Sequence, residues 1–115
     1  MSSSVPELNS ATFDEMVGVS DVPVVVEFWA PWCPPCKIMA PVLDAMATDE
    51  AARLRVAKVN ADEQLELARR FEVVSVPTLL VFVEGELRRR MVGARSRATL
   101  LDEIGEVSGW LSPSL

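Results

Sequence analysis

Val24-Val25-Val26-Glu27-Phe28-Trp29-Ala30-Pro31-Trp32-Cys33-Pro34-Pro35-Cys36-Lys37 is the stretch on which the reading of this chain turns. Its first part, extended back to Val22 (VPVVVEFW), is β-branched and aromatic, with apolar residues at both parities. That pattern suits a strand buried on both faces, as in a parallel or mixed sheet. One carboxylate, Glu27, interrupts it. After Cys33 the spacing changes: Ile38, Val42, Leu43 and Met46 recur at helical intervals, which predicts a helix from Pro34 to Asp49. Pro41 falls in its interior, where it removes one amide and should kink the helix. Two cysteines therefore stand where a buried strand gives way to a helix.

That position has chemical consequences. Residues at i and i+3 of a first helical turn lie on one face, at about 5–6 Å between Cβ atoms. Modest adjustment closes that distance to a disulfide. A helix N-terminus carries partial positive charge and free amides, which favour thiolate over thiol. Cys33, at the N-cap and facing the loop, is expected to be the better nucleophile. Cys36, one turn in, is expected to be more buried and to stay protonated until it resolves a mixed disulfide. Pro34 and Pro35 have no N–H, so among the nearest amides only that of Cys36 can donate to the Cys33 sulfur. Pro34→Gly should then lower the Cys33 pKa by adding a donor. Two other readings of the pair stay open at this point: inert core packing, and metal binding by two thiolates.

Outward from this corner the chain alternates elements. Thr12-Phe13-Asp14-Glu15 reads as a capping box before a short helix that ends near Gly18. Leu54 to Val59 alternates as a second strand, and Asp62 can cap a helix through Leu65, Ala68 and Phe71. Thr78 to Val83 is a third apolar strand; Glu84-Gly85 turns it into Leu87 to Val92, a hairpin. Ser96 caps a last helix carrying Leu100, Leu101, Ile104 and Val107. Val5 to Leu8 can add an edge strand, where Pro6 is tolerable. The order β-α-β then α-β-β-α predicts an α/β sandwich: a central mixed sheet of four to five strands with helices on both faces. Arg88-Arg89-Arg90, the one basic run, should keep an edge strand soluble and unpaired.

Composition bounds the chemistry. The 115 residues predict one domain, residues 1–115, with Ser2-Ser3-Ser4 in a frayed start (1–4). There is no histidine, which excludes Ser-His-Asp and Cys-His catalysis and any imidazole metal ligand. Two cysteines cannot fill a four-ligand zinc site or build a multi-bridge scaffold. A formal net charge of −6 argues against nucleic-acid binding and against anionic membranes. Met1 to Val17 has neither a basic n-region nor an apolar h-region, and no apolar run approaches a membrane span. A soluble cytoplasmic protein is the expectation.

The stretch from Val24 to Lys37, with Ala40-Pro41 after it, resembles the active-site segment of the thioredoxin family. Further matches follow in the family's order: Val56-Ala57-Lys58-Val59-Asn60, Ser75-Val76-Pro77-Thr78, Gly85, and Val92-Gly93-Ala94. The similarity runs from Thr12 to Val107. A lone C-x-x-C is weak evidence; W-C-x-P-C with the distant V-P-T and V-G-A is strong.

The resemblance implies the thioredoxin fold and a protein-disulfide reductase working through a Cys33/Cys36 dithiol–disulfide cycle. It implies a cis bond at Val76-Pro77, with the Val76 backbone pairing with a substrate strand. The bare residues alone would also allow a trans proline starting a strand. Glu27 aligns with a buried carboxylate, usually Asp, that exchanges a proton with the second cysteine. Lys58 aligns with the lysine that tunes it. A strand carboxylate could instead face outward. Glutamate is also one methylene longer than the family's aspartate, which bears on its reach to Cys36. Trp32 and Pro34 are expected as substrate contacts, Gly93 and Ala94 as a small-residue groove edge, and Trp29 as packed beside the disulfide. Trp110 reads as core. The implied partners are disulfide-containing proteins and an NADPH-dependent flavoprotein reductase, with no bound cofactor or metal and a monomeric state. The runner-up readings are a thiol oxidase or disulfide isomerase on the same fold, and a non-enzymatic binding or metallochaperone module.

Overall fold

A computed structural model describes residues 5–109, so the expectations for 1–4 and for Trp110 lie outside the described residues. Eight elements follow one another: α1 (Ser10–Val19), β1 (Val24–Trp29), α2 (Pro34–Asp49), β2 (Arg55–Asn60), α3 (Leu65–Arg70), β3 (Thr78–Val83), β4 (Glu86–Val92) and α4 (Arg97–Ser108). The strands form one four-stranded sheet in the order β2-β1-β3-β4. β1 and β2 are parallel, joined by the α2 crossover; β1–β3 and β3–β4 are antiparallel. This is the mixed α/β sandwich expected from the element order.

Strand parity sorts the core into two layers. Val25, Val56, Leu79, Val81 and Met91 pack with Met39 and Leu43 of α2 and Leu100 and Ile104 of α4. Val24, Val26, Phe28, Val59 and Leu80 pack on the other side with Phe13 of α1 and Leu67 of α3. Phe71 closes this second layer against Phe13 and Phe82, with ring centroids 5.1 and 5.6 Å away. The central strands β1 and β3 are thus covered on both faces, which is why their sequences are apolar at both parities.

Several boundaries differ from the sequence reading for identifiable reasons. The first helix begins at Ser10, because Asn9 is its N-cap and Thr12 occupies the third helical position. Asn9 Oδ1 accepts from the Ala11 and Thr12 amides, while Thr12 Oγ1 accepts from the Asn9 amide at 3.0 Å. The capping box is real, but shifted by three residues. β1 starts at Val24 rather than Val22; Pro23, which has no N–H, contributes only its carbonyl, accepting from the Arg55 amide. Asp62 does not cap α3. Asn60 Oδ1 accepts the amides of Asp62 and Glu63, and the helix begins at Leu65 behind Gln64, whose side chain makes no cap bond.

Other expectations agree in detail. α2 spans Pro34–Asp49 with Pro41 inside it, where the Lys37 carbonyl finds no amide four residues on. Ser96 Oγ accepts from the Thr99 amide and caps α4. The turn at Glu84-Gly85 holds both residues at positive φ (54° and 82°), the conformation a two-residue hairpin loop needs. Val5 to Leu8 adds a single parallel bridge, Glu7 to Lys58, along the outer side of β2. There the Lys58 amide donates to Pro6 O and the Leu8 amide to Lys58 O. At the opposite edge β4 carries a bulge, because Val81 pairs with Arg89 but Phe82 with Leu87. Arg89 bonds Glu103 and Glu106, and Arg88 bonds Glu86, so the basic run does decorate an edge strand. No helix among the described residues is long and apolar enough to cross a membrane.

Candidate active site

β1 and β3 are antiparallel, so the C-terminal end of β1 and the N-terminal end of β3 meet at one end of the sheet. The first delivers Trp29 and the turn into α2; the second begins just after Pro77. At this end Cys33 and Cys36 form a disulfide with their Cα atoms 5.3 Å apart. Ala30 packs with both cysteines, and Trp29 and Val76 lie against them. Trp29 therefore sits beside the disulfide as the sequence suggested. The Val76–Pro77 peptide is cis. The Gly93 amide donates to the Pro77 carbonyl at 2.8 Å, tying the end of β4 to the proline loop.

Cys33 is the N-cap of α2, and its sulfur accepts the Cys36 amide at 3.2 Å. This is the single donor that the two prolines leave in the first turn. One expectation needs correction: Cys36 is not the more buried of the pair. In the disulfide form Cys33 is 1% exposed and Cys36 4%. The reason is that Cys36, and not Cys33, lines a partly open cavity beside the helix. Exposure does not distinguish the two sulfurs; position on the helix does.

The two prolines occupy different positions relative to the cap. Pro34 is at the first helical position and Pro35 at the second. An N-cap acceptor takes its hydrogen bonds from the second and third amides. The donor withheld from Cys33 is therefore that of Pro35, and the effect expected of Pro34→Gly belongs to Pro35. In the reduced protein, Pro35→Ala should lower the Cys33 thiol pKa and Pro34→Ala should change it less. A thiolate absorbance titration checks this; no change in the Pro35 variant, or a rise, overturns it.

The cavity below Cys36 has a volume of about 270 Å³ and is lined in part by Glu27, Trp29, Leu43 and Lys58. Glu27 shares the parity of Val25, which faces α2 and α4, and it is only 3% exposed. The outward-facing alternative is excluded. Its register partners are Lys58 on β2 and Leu79 on β3. Burial pushes the Glu27 carboxyl up to about 7, against the pull of the Lys58 ammonium and with a small push from the Glu7 carboxylate. Glu27 Oε2 has no hydrogen-bond partner among the described residues. A carboxyl group titrating near neutrality, in a cavity it shares with a cysteine, can take or give a proton there. Lys58 is half-buried, with its Nζ 5.3 Å from the centroid of the Trp29 ring.

Around the disulfide the surface is apolar and open. Trp32 is 65% exposed, held by a hydrogen bond from its indole nitrogen to Asp62 Oδ2 at 2.8 Å. Pro34 is exposed as well. The Gly93-Ala94 edge is less bare than expected. Arg95 folds back over it, with Nη1 donating to the carbonyl of Val92 at 2.9 Å and reaching those of Gly93 and Ala94 at 3.4 Å. Two contacts escaped the sequence reading: Asp62 on Trp32, and Glu7 on Trp29, whose indole N–H donates to Glu7 Oε2 at 2.8 Å. They join residues 30 and 22 positions apart, and no local pattern marks such pairs. Among the described residues no group of three or more His, Cys, Asp or Glu side chains could hold a metal ion.

A redox-active cysteine pair at a strand-to-helix corner, faced by a cis-proline loop on a mixed sheet, defines a thiol–disulfide oxidoreductase. The family model for thioredoxin matches residues 4–106. A thioredoxin of Mycobacterium tuberculosis (strain ATCC 25618 / H37Rv) is 47% identical over 105 residues, covering 91% of this chain and 90% of that one. Thioredoxin 1 of Nostoc sp. (strain PCC 7120) is 42% identical over 98 residues, 85% of this chain and 92% of its own. A bifunctional thioredoxin reductase/thioredoxin of Mycobacterium leprae is 45% identical over 101 residues, 88% of this chain and 22% of its own. The chain belongs to the thioredoxin family.

Proposed function

We propose that the protein is a reductant of protein disulfides, with Cys33 as the attacking nucleophile and Cys36 as the resolving thiol. The observation that carries the assignment is the asymmetry of the pair: the Cys33 sulfur receives the Cys36 amide at the helix N-cap, while Cys36 adjoins the cavity that holds Glu27. In the reduced protein the Cys33 thiolate attacks one sulfur of a substrate disulfide. The substrate S–S bond breaks, a mixed disulfide forms, and the first substrate sulfur leaves as a thiolate that takes up a proton. Glu27, as carboxylate, accepts the proton of Cys36, and the resulting thiolate attacks the Cys33 sulfur. The mixed disulfide breaks, the second substrate sulfur departs as a thiolate that takes the proton held by Glu27, and the Cys33–Cys36 disulfide remains. Two electrons pass to the substrate, with one proton from Cys36 by way of Glu27 and one from solvent.

Lys58 sets how readily Glu27 ionises. Trp32, Pro34 and the backbone of Val76 beside cis Pro77 receive the substrate, with Gly93 and Ala94 at the groove edge under the Arg95 side chain. The oxidised form is returned by an NADPH-dependent flavoprotein thioredoxin reductase, a partner supported by the family and by the name of the M. leprae relative. The chain works as one domain over residues 1–115, as a monomer in the cytoplasm, where thiols are kept reduced.

Titration of the Cys33–Cys36 pair against glutathione fixes the direction. The midpoint is expected on the reducing side of the glutathione couple, and a value well on the oxidising side would assign the protein to disulfide formation instead.

A further inference from the structure

Beside Glu27 and Lys58, a carboxylate from outside the sheet is tied to the same neighbourhood. Glu7 lies outside the sheet on the short bridge to Lys58, fixed at that level by the two backbone hydrogen bonds of Pro6 and Leu8 to Lys58. Its carboxylate accepts the Trp29 indole N–H at 2.8 Å. The face of that indole carries the Lys58 ammonium, and Lys58 is the register partner of Glu27. Trp29, Glu27 and Lys58 all line the cavity onto which Cys36 opens. Glu7 thus bonds Trp29, Trp29 stacks on Lys58, and Trp29, Lys58, Glu27 and Cys36 share one cavity.

We propose that Glu7 is a positioning residue for proton exchange at Cys36, holding the Trp29 ring and its Lys58 from outside the cavity and opposing the ammonium's hold on Glu27. The inference rests on the assignment of Glu27 as the proton acceptor of Cys36. The sign follows from Coulomb's law: a negative charge near the Lys58–Glu27 pair disfavours a second negative charge on Glu27. Glu7 does raise the Glu27 carboxyl, as the smallest of the three influences on it. The other charged side chains lining the cavity are Lys37 and Asp44, both from α2. Glu7 is exposed, so its influence should weaken as salt is added.

Glu7→Gln and Glu7→Ala test this on the full-length oxidised protein. Glutamine keeps an oxygen to accept the indole N–H and removes the charge; alanine removes both. The Glu27 titration is followed by carboxyl carbon NMR, and the Trp29 ring by its indole N–H resonance. Both variants should move the Glu27 midpoint downward at low salt, by an amount that shrinks in molar salt. The indole resonance should move further in Glu7→Ala, which loses the acceptor, than in Glu7→Gln, which keeps a weaker one. In the reduced protein, the acid limb of the disulfide-reduction pH profile should shift the same way. A Glu27 midpoint that stays at the wild-type value in both variants overturns the role of Glu7, whatever happens to stability. Glu27→Gln serves as the reference: if it leaves the pH profile of reduction unchanged, the assignment of Glu27 itself falls. If it alters the profile while the Glu7 variants do not, only the Glu7 inference fails.

Discussion

Cys36→Ser is expected to reduce repeated turnover of a protein disulfide to below roughly 1% of wild type while leaving the first chemical step intact, so that substrate accumulates on Cys33 as a mixed disulfide. The reason lies in which atom stabilises the attacking sulfur. Cys33 Sγ accepts a backbone amide, that of residue 36, and serine retains it. The N-cap geometry of α2 also survives, since Cys33 supplies it. Serine removes only the sulfur that would displace the substrate. Mass spectrometry of the variant after exposure to a disulfide-containing protein should find a covalent adduct at Cys33. Cys33→Ser should form none, because the remaining thiol lies within the helix beyond the N-cap. The opposite pattern, an adduct on Cys36 in Cys33→Ser and none in Cys36→Ser, would reverse the assignment of the two cysteines.

The second large effect concerns stability. Burial raises the Glu27 carboxyl from 4.5 to about 7 on folding. Folding therefore favours the protonated acid. The resulting contribution is fully present below pH 4.5, erodes as the unfolded chain ionises, and is lost once pH passes about 7. A shift of this size corresponds to about 3 kcal/mol of stability surrendered across that interval. Glu27→Gln keeps the shape and does not titrate. Its stability relative to wild type should therefore climb with pH between these limits, reaching a gain of about 2–3 kcal/mol above pH 8. Urea unfolding of both oxidised proteins at a series of pH values measures the gap. A gap independent of pH would show that Glu27 ionises as freely in the folded protein as in the unfolded chain. On the proposed mechanism the same substitution also slows resolution by Cys36, so stability at neutral pH and rate should change in opposite directions in this variant.

How much of this was legible beforehand depended on whether the determining forces were local. The Cys33–Cys36 corner could be read because strand and helix periodicities meet there and prolines fit a first helical turn. The face of Glu27 could not be read from VVVEFW, because a strand buried on both sides hides its own parity. Only the register with Lys58 and Leu79 places it toward α2. Asp62 was misread because Asp and Asn compete for the same turn amides; Asn60 took them, freeing Asp62 to hold Trp32. The relative burial of the cysteines depended on a cavity assembled from β1, β2 and α2, which no single segment encodes. The resemblance to thioredoxins supplied the cis bond at Pro77, which residue chemistry alone left undecided.

The turn at Glu84-Gly85 has a practical corollary. β3 leaves the cysteine end of the sheet at Thr78 and reaches this turn six residues later, a separation of about 16–20 Å. Glu84 is exposed there, just past the end of β3 opposite the cysteine end of the sheet. A label or surface linker carried on that side chain would orient the molecule with its reactive end outward. The hairpin reversal thus offers a handle for tethering the protein to a support without screening its redox pair from large substrates.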